Sequence, residues 1–486
     1  MTRTHSTWEF SDSDYQQIVL GRKEPSFSRR IDSPIRPEVV ENDAVHDGTE
    51  ARSEFESLTQ DLHLSSKDDE FWWNSTGVSF HQLLIQNSYN SENRRSLLRW
   101  YAAFIIPALG PRPIRGEKPR FQPCPVADGS PIEYSLNWKE TSSKQLVRFT
   151  IEATSATAGT PADLFNQNET LTLLSRLNKY GKMPKLDLKE FHIWKNEFYF
   201  SEDGAQRLLS RIPSGSPLSQ IWIAFDLPHG QEPMAKVYFM PSLRCIESNI
   251  PNERLVFDTA RICHGQYGTY NRCIDVLDSY LKASRDEPVI MAALDCIDSP
   301  DSRIKVYVQT RANSLNGAKR VLTLNGQLAG ETVAKGLEAL EELWSILFPL
   351  QTDNIGNAIV FPKNVYCGLA VELKAGQQFP ETKLHLPFRE FEGTDAKFCE
   401  LLSTWFQKRS HAKFGETYRA NLGRVFPKHD LGGTRGTHTF VSFSYTEKTG
   451  VYMTMYYSPR IFDAYLGESR DDFWQGYNDL WQKDST

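Results

Sequence analysis

Arg303-Ile304-Lys305-Val306-Tyr307-Val308-Gln309 alternates strictly. As a strand it sets Arg303, Lys305, Tyr307 and Gln309 on one face and Ile304, Val306 and Val308 on the other. The apolar face is wholly β-branched, which suits a strand backed by helices. The opposite face carries two cations, a phenol and an amide, and taken alone it reads equally well as a solvated surface.

Recurrence decides between the two readings. Lys236-Val237-Tyr238 repeats the Lys-x-Tyr core, and Lys383-Leu384-His385 repeats it with imidazole in the phenol's place. Val147-Arg148-Phe149 sets one cation between apolar neighbours, and Tyr452, Thr454 and Tyr456 share a face of the alternating run 451–456. Unrelated solvated strands have no reason to share this pattern. Strands lining one interior do, because all of them face the same ligand.

Paired extended segments punctuate the chain: 132–138 with 146–153, 221–227 with 235–240, 289–297 with 302–310, 365–373 with 382–388, and 437–445 with 450–457. Helical patterns fall between and around them, at 78–89, 94–106, 170–177, 206–211, 261–282, 332–348, 396–406 and 472–483. A unit of helix, two strands and helix thus recurs about five times. The fold class expected is α+β: a single antiparallel ten-stranded β-barrel of αββα repeats with its helices outside. Closure removes the sheet edges, and ten strands leave room for a ligand. A lumen lined by Arg, Lys, Tyr and Gln cannot pack as a dry core without partners, so an anionic ligand is expected inside it.

Composition narrows the classes further. The 486 residues carry a net charge of −6, so no global basic field points to nucleic acid, and any cationic site must be local. No apolar run reaches the ~18 residues of a membrane-spanning helix. Seven scattered cysteines with no CxxC pair suggest reduced thiols in the cytosol, and the Cys263-His264 and Cys273 spacing matches no zinc pattern. Residues 1–60, rich in Ser, Asp, Arg and Pro toward the start and lacking a signal-peptide core, are expected to be a disordered lead-in to one barrel domain over 65–486. No GxSxG, GxxxxGK, GxGxxG or HExxH pattern anchors a hydrolase, kinase, dehydrogenase or zinc-protease reading.

Six stretches in order carry a family resemblance: Thr76-Gly77 with Pro107-Ala108-Leu109-Gly110-Pro111, Ser130-Pro131-Ile132-Glu133-Tyr134-Ser135, Val147-Arg148-Phe149, Phe225-Asp226-Leu227 with Lys236-Val237-Tyr238, Arg303-Ile304-Lys305-Val306-Tyr307, and Val441-Ser442-Phe443-Ser444 through Tyr456-Tyr457-Ser458-Pro459. The chain resembles the fungal dimethylallyltryptophan synthase family of aromatic prenyltransferases. The resemblance implies a metal-independent cytoplasmic enzyme of secondary metabolism, monomer or homodimer, with no cofactor. Its partners would be dimethylallyl diphosphate and an aromatic acceptor. The allylic diphosphate ionises, and the ring attacks the resulting carbocation. By the same resemblance Arg148, Lys236, Arg303, Lys305 and Lys383 would hold the diphosphate, in place of the magnesium that an Asp-rich motif would bind. Neither Asp298-Ser299-Pro300-Asp301 nor Asp471-Asp472 forms such a motif. Tyr238, Tyr307, His385, Tyr452 and Tyr456 would shield the carbocation, and Glu133 would accept an indole N–H.

Two departures bear on the acceptor. His385 stands where many members carry Tyr, and the strand 221–227 lacks the Lys found in members that attack tryptophan at C4. An indole acceptor is expected, with a phenolic polycycle of polyketide or xanthone type as the alternative. A non-catalytic barrel that only binds a prenyl diphosphate would need the cations, but neither Glu133 nor so many phenols.

Overall fold

A computed structural model describes residues 7–20, 45–213, 216–263, 267–284, 286–348, 365–409 and 411–463. Ten strands close one barrel: β1 (Ile132–Lys139), β2 (Ser142–Ile151), β3 (Ile221–Asp226), β4 (Met234–Phe239), β5 (Val289–Asp295), β6 (Arg303–Thr310), β7 (Cys367–Lys374), β8 (Glu381–Leu386), β9 (His438–Thr446) and β10 (Gly450–Tyr457). Each strand pairs antiparallel with its neighbour in sequence, and β1 closes on β10. The expected barrel is therefore the observed one.

Alternation explains why it closes this way. Leu136 and Trp138, Val147 and Phe149, Ile223 and Phe225, Ile304 and Val306, Leu369 and Val371, and Met453 and Met455 all point outward into one continuous apolar layer beneath the helices. Burying each large aliphatic or aromatic side chain there contributes about 1.5–3 kcal/mol, and a one-residue slip of a strand such as β6 would turn its charges into that layer. Helix Glu331–Leu347 lies against β9 at Gly336, where a Cβ would stand 2.9 Å from that of Tyr445. Glycine there allows the close approach.

The chain ahead of the barrel departs from the expected disordered lead-in. Within 7–20, helix Asp12–Leu20 packs with Phe10 and Tyr15 fully buried, and Phe10 meets Phe104 edge-on at 5.9 Å. The Trp8 indole N–H donates to the Lys182 carbonyl at 2.9 Å. Helix Val45–Asp61 buries Leu58, and its Glu54 accepts from Arg94 at 2.8 Å. Trp8, Phe10, Tyr15, Ile18 and Val19 supply enough apolar surface to order a stretch whose average composition is polar. The described packing thus begins well before the boundary drawn at residue 65. The helix expected at 472–483 lies outside the described residues. Among those described, no helix is long and apolar enough to cross a membrane.

Candidate active site

The inward residues fall into two levels, because three strands carry a charge two positions from a ring. Lys236 precedes Tyr238 on β4, Lys305 precedes Tyr307 on β6, and Lys383 precedes His385 on β8. One end of the lumen is therefore ionic and the other aromatic.

At the ionic end Asp226 takes contacts from both Arg148 and Lys236. Arg303 bridges Asp295 and Glu372, at 2.9 Å to each. Lys305 donates to Glu372 at 2.8 Å, while Lys383 stands 4.0 Å from the same carboxylate. Five cations (Arg148, Lys236, Arg303, Lys305 and Lys383), with half-buried Lys139 beside them 5.6 Å from the Tyr452 ring, thus face three carboxylates (Asp226, Asp295 and Glu372), a formal surplus of positive charge. Buried charge without compensation is costly, and an anion would offset this surplus. Every one of these carboxylates is already tied to a cation.

The protonation states carry the same tension. Burial alone would raise Asp226, but Arg148 and Lys236 hold it well below the ordinary carboxylate value. Glu372, buried as well, is held low by Lys305 and Arg303. Burial brings Lys236 down to about 8 despite Asp226. Lys383 is pulled down further by burial, with Lys305 and Arg148 adding to the effect.

The aromatic end is a cavity of about 250 Å³ bounded by residues including Glu133, Trp222, Tyr238, Tyr307, His385 and Tyr456. Five rings form a continuous arc. Trp222 to Tyr238 is 6.4 Å, Tyr238 to Tyr307 is 6.0 Å, Tyr307 to His385 is 5.9 Å, and His385 to Tyr456 is 5.7 Å. Small inner residues leave the space open: Ala224 and Ala293 pack with Tyr238, and Gly368 faces His385. Glu133 opens onto this cavity, and its Oε1 accepts the Thr439 hydroxyl at 2.7 Å. Burial pushes its carboxyl up to about 8, against Thr439 and Arg148, which pull it down. Burial and the nearby Lys383 and Lys305 bring His385 down to about 3, so the imidazole is neutral.

All eleven residues singled out in the sequence face this lumen, divided between its levels. Tyr452 is the exception to the expected grouping by ring. It lies at the ionic level, under Lys383 and hydrogen-bonded by Asn137 Nδ2 at 2.7 Å, apart from the arc. The sequence reading missed Trp222, Met291, Thr439, Asp295 and Glu372. Alternation on β5 and β7 carries the signal for the last two, since Asp295 and Glu372 occupy inward positions. It also missed Glu152, buried behind the chamber wall. Glu152 accepts from the Cys124 backbone N–H at 2.9 Å, the Ser219 hydroxyl at 2.7 Å and the Trp222 indole N–H at 3.3 Å. It thereby fixes one end of the arc.

Comparison with known proteins agrees with this architecture. Residues 68–421 match the family described as tryptophan dimethylallyltransferase. The chain is 36% identical over 419 residues to prenyltransferase iacE of Pestalotiopsis fici, covering 84% of this chain and 95% of that protein. It is 30% identical over 446 residues to a 7-dimethylallyltryptophan synthase of Aspergillus fumigatus, covering 86% and 92%. The crystal structure of AnaPT from Neosartorya fischeri superposes with a TM-score of 0.75 at 28% identity, over 84% of this chain and 97% of that one.

Proposed function

This chain belongs to the tryptophan dimethylallyltransferase family and is an aromatic prenyltransferase, and from that premise we propose that it moves a dimethylallyl group from its diphosphate to an indole without a metal ion. The observation that carries the reading is the pairing of a buried positive surplus with an adjacent arc of rings.

The diphosphate belongs at the ionic end. Its negative charge grows as the allylic C–O bond breaks, so fixed cations stabilise the transition state more than the ground state. Arg148 and Arg303 suit bidentate contact with phosphate oxygens, and Lys236, Lys305 and Lys383 act as point charges. The carboxylates Asp226, Asp295 and Glu372 are occupied by these same cations, which supports a metal-free site. The carbocation then stands between the leaving group and the arc. Tyr238, Tyr307 and Tyr456 offer it ring faces worth about 2 kcal/mol each when desolvated, and they exclude the water that would quench it.

The acceptor enters the cavity on the far side of the cation. Glu133, as a carboxylate, accepts the indole N–H and raises the electron density of the attacking ring. The Aspergillus fumigatus relative's name, a synthase of 7-dimethylallyltryptophan, supports both the dimethylallyl donor and the indole acceptor. Incubating the protein with dimethylallyl diphosphate and a panel of indoles and phenols, with mass-spectrometric detection, tests the reading. Prenylated indoles are the expected products. Products from phenols alone would replace the acceptor, and diphosphate binding with no transfer to any ring would remove the catalytic role.

A further inference from the structure

Aromatic substitution needs a step that the cations and phenols do not provide. Once the ring has attacked, the arenium ion must lose the proton from the carbon that formed the new bond. A base must therefore stand beside that carbon, inside the ring arc.

The chamber offers few bases. Asp226, Asp295 and Glu372 are bound to Arg and Lys at the ionic end. Burial raises Tyr238, Tyr307 and Tyr456 above the ordinary phenol value, so they remain protonated. Glu133 is held by Thr439 and is assigned to the indole N–H. His385 remains. Its Nε2 is enclosed and has no hydrogen-bond partner among the described residues. Its ring is flanked by Tyr307 at 5.9 Å and Tyr456 at 5.7 Å, and so stands within the carbocation shield. On β9 its cross-strand partner is Ser442, whose hydroxyl is likewise buried and unpartnered among the described residues. Two adjacent buried polar groups without partners call for an explanation, and a proton-bearing ligand supplies one.

We propose that His385 Nε2 accepts the ring proton that restores aromaticity, a role that rests on the prenyl-transfer reading above. In balance, the allylic C–O bond breaks and its electron pair leaves with diphosphate. The ring π electrons form the new C–C bond, and the C–H electron pair returns to the ring as the proton passes to His385. The proton then leaves with the departing diphosphate. The positive charge already resides in the chamber as the allyl cation, so this step moves it a short way without adding any. Low basicity suits the task. An arenium ion is a far stronger acid than imidazolium, so even a base brought down to about 3 takes its proton. It also stays unprotonated at working pH, beside Lys383.

The test uses His385→Phe, which keeps a ring in the shield, and His385→Asn, which keeps polarity without basicity. Each is compared with wild type on acceptor bearing deuterium at the attacked carbon, and on donor labelled at the bridging oxygen. The deuterium is placed on whichever acceptor the wild-type protein prenylates. A wrong acceptor class then appears as absent indole turnover by wild type, and His385 is still tested on the acceptor that is used. The expected result is a fall in kcat of roughly 100-fold in both variants, the scale of a positioned proton acceptor. A primary isotope effect absent from wild type should accompany it, and scrambling of the bridging oxygen should persist, because ionisation precedes the lost step. An isotope effect of unity in both variants would overturn the proposal. So would scrambling that falls in parallel with kcat, which would make His385 a shield alone.

Discussion

The ammonium of Lys383 lies 3.6 Å from the ring centroid of Tyr452, while its nearest carboxylate oxygen, on Glu372, is 4.0 Å away. Lys383 is the least neutralised of the five inward cations, held by a ring face where the others hold carboxylates. A lysine in this position is waiting for an anion, and burial has already lowered its proton affinity.

Donor binding should therefore take up protons. A diphosphate raises the pKa of Lys383 and Lys236 from their depressed values, so affinity is greatest where both are protonated. It weakens as pH rises through the Lys236 value of about 8. For one linked proton the apparent Kd rises about tenfold per pH unit above that point. Calorimetry of inorganic diphosphate or donor binding near pH 8, in two buffers of different ionisation enthalpy, should show net proton uptake. Binding that strengthens with pH would contradict the assignment.

Lys305→Ala should cut turnover by roughly 100-fold, the usual loss when one electrostatic donor to a developing charge is removed. Lys305 is also the closest partner of Glu372, at 2.8 Å, so the change leaves that carboxylate leaning on Arg303. The loss should appear with both donor and acceptor saturating. Unchanged kcat would take Lys305 out of the site.

Activity should be indifferent to EDTA. Asp226, Asp295 and Glu372 are each engaged by Arg or Lys, so a metal ion would have to displace a resident cation. Complete loss on chelation with rescue by magnesium would overturn the diphosphate assignment.

The barrel was legible because its signal has period two and every strand carries it. The charged row and the ring row were legible for the same reason, two positions apart on β4, β6 and β8. What stayed hidden came from partners distant in sequence. Thr439 lies 306 residues after Glu133 in sequence, so nothing local links them. Glu152, Ser219 and Trp222 meet through the register of β2 and β3. Helix Ala412–Val425 was missed because Gly415 and Gly423 lower its propensity. Gly415 is there for packing, since a Cβ would stand 2.8 Å from the Ser403 carbonyl oxygen. The N-terminal stretch misled through its average. A few aromatic residues in a polar segment found a groove that composition alone does not reveal.

Glu133 decides the acceptor class. In the empty chamber its carboxyl is pushed up to about 8, chiefly by burial, so below that pH it is largely protonated. An indole N–H needs the carboxylate. With donor saturating, kcat/KM for an indole acceptor should rise with pH and level off above an apparent pKa near 8, since this ratio reports the enzyme before the acceptor binds. Glu133→Gln keeps the size and one acceptor oxygen but has no proton to lose, so the acidic limb should vanish. Its plateau should fall by roughly 10- to 150-fold, the worth of a charge-assisted hydrogen bond of about 1.5–3 kcal/mol. N-methylation of the indole should cost wild type a similar factor and the variant little more, because both changes remove the same contact. A phenolic acceptor reverses the pattern: O-methylation abolishes turnover and N-methylation of an indole is irrelevant. Glu133→Ala with wild-type kinetics on the true acceptor would remove Glu133 from the chemistry. Its raised proton affinity would then be only the cost of placing a carboxyl against the barrel's inner wall.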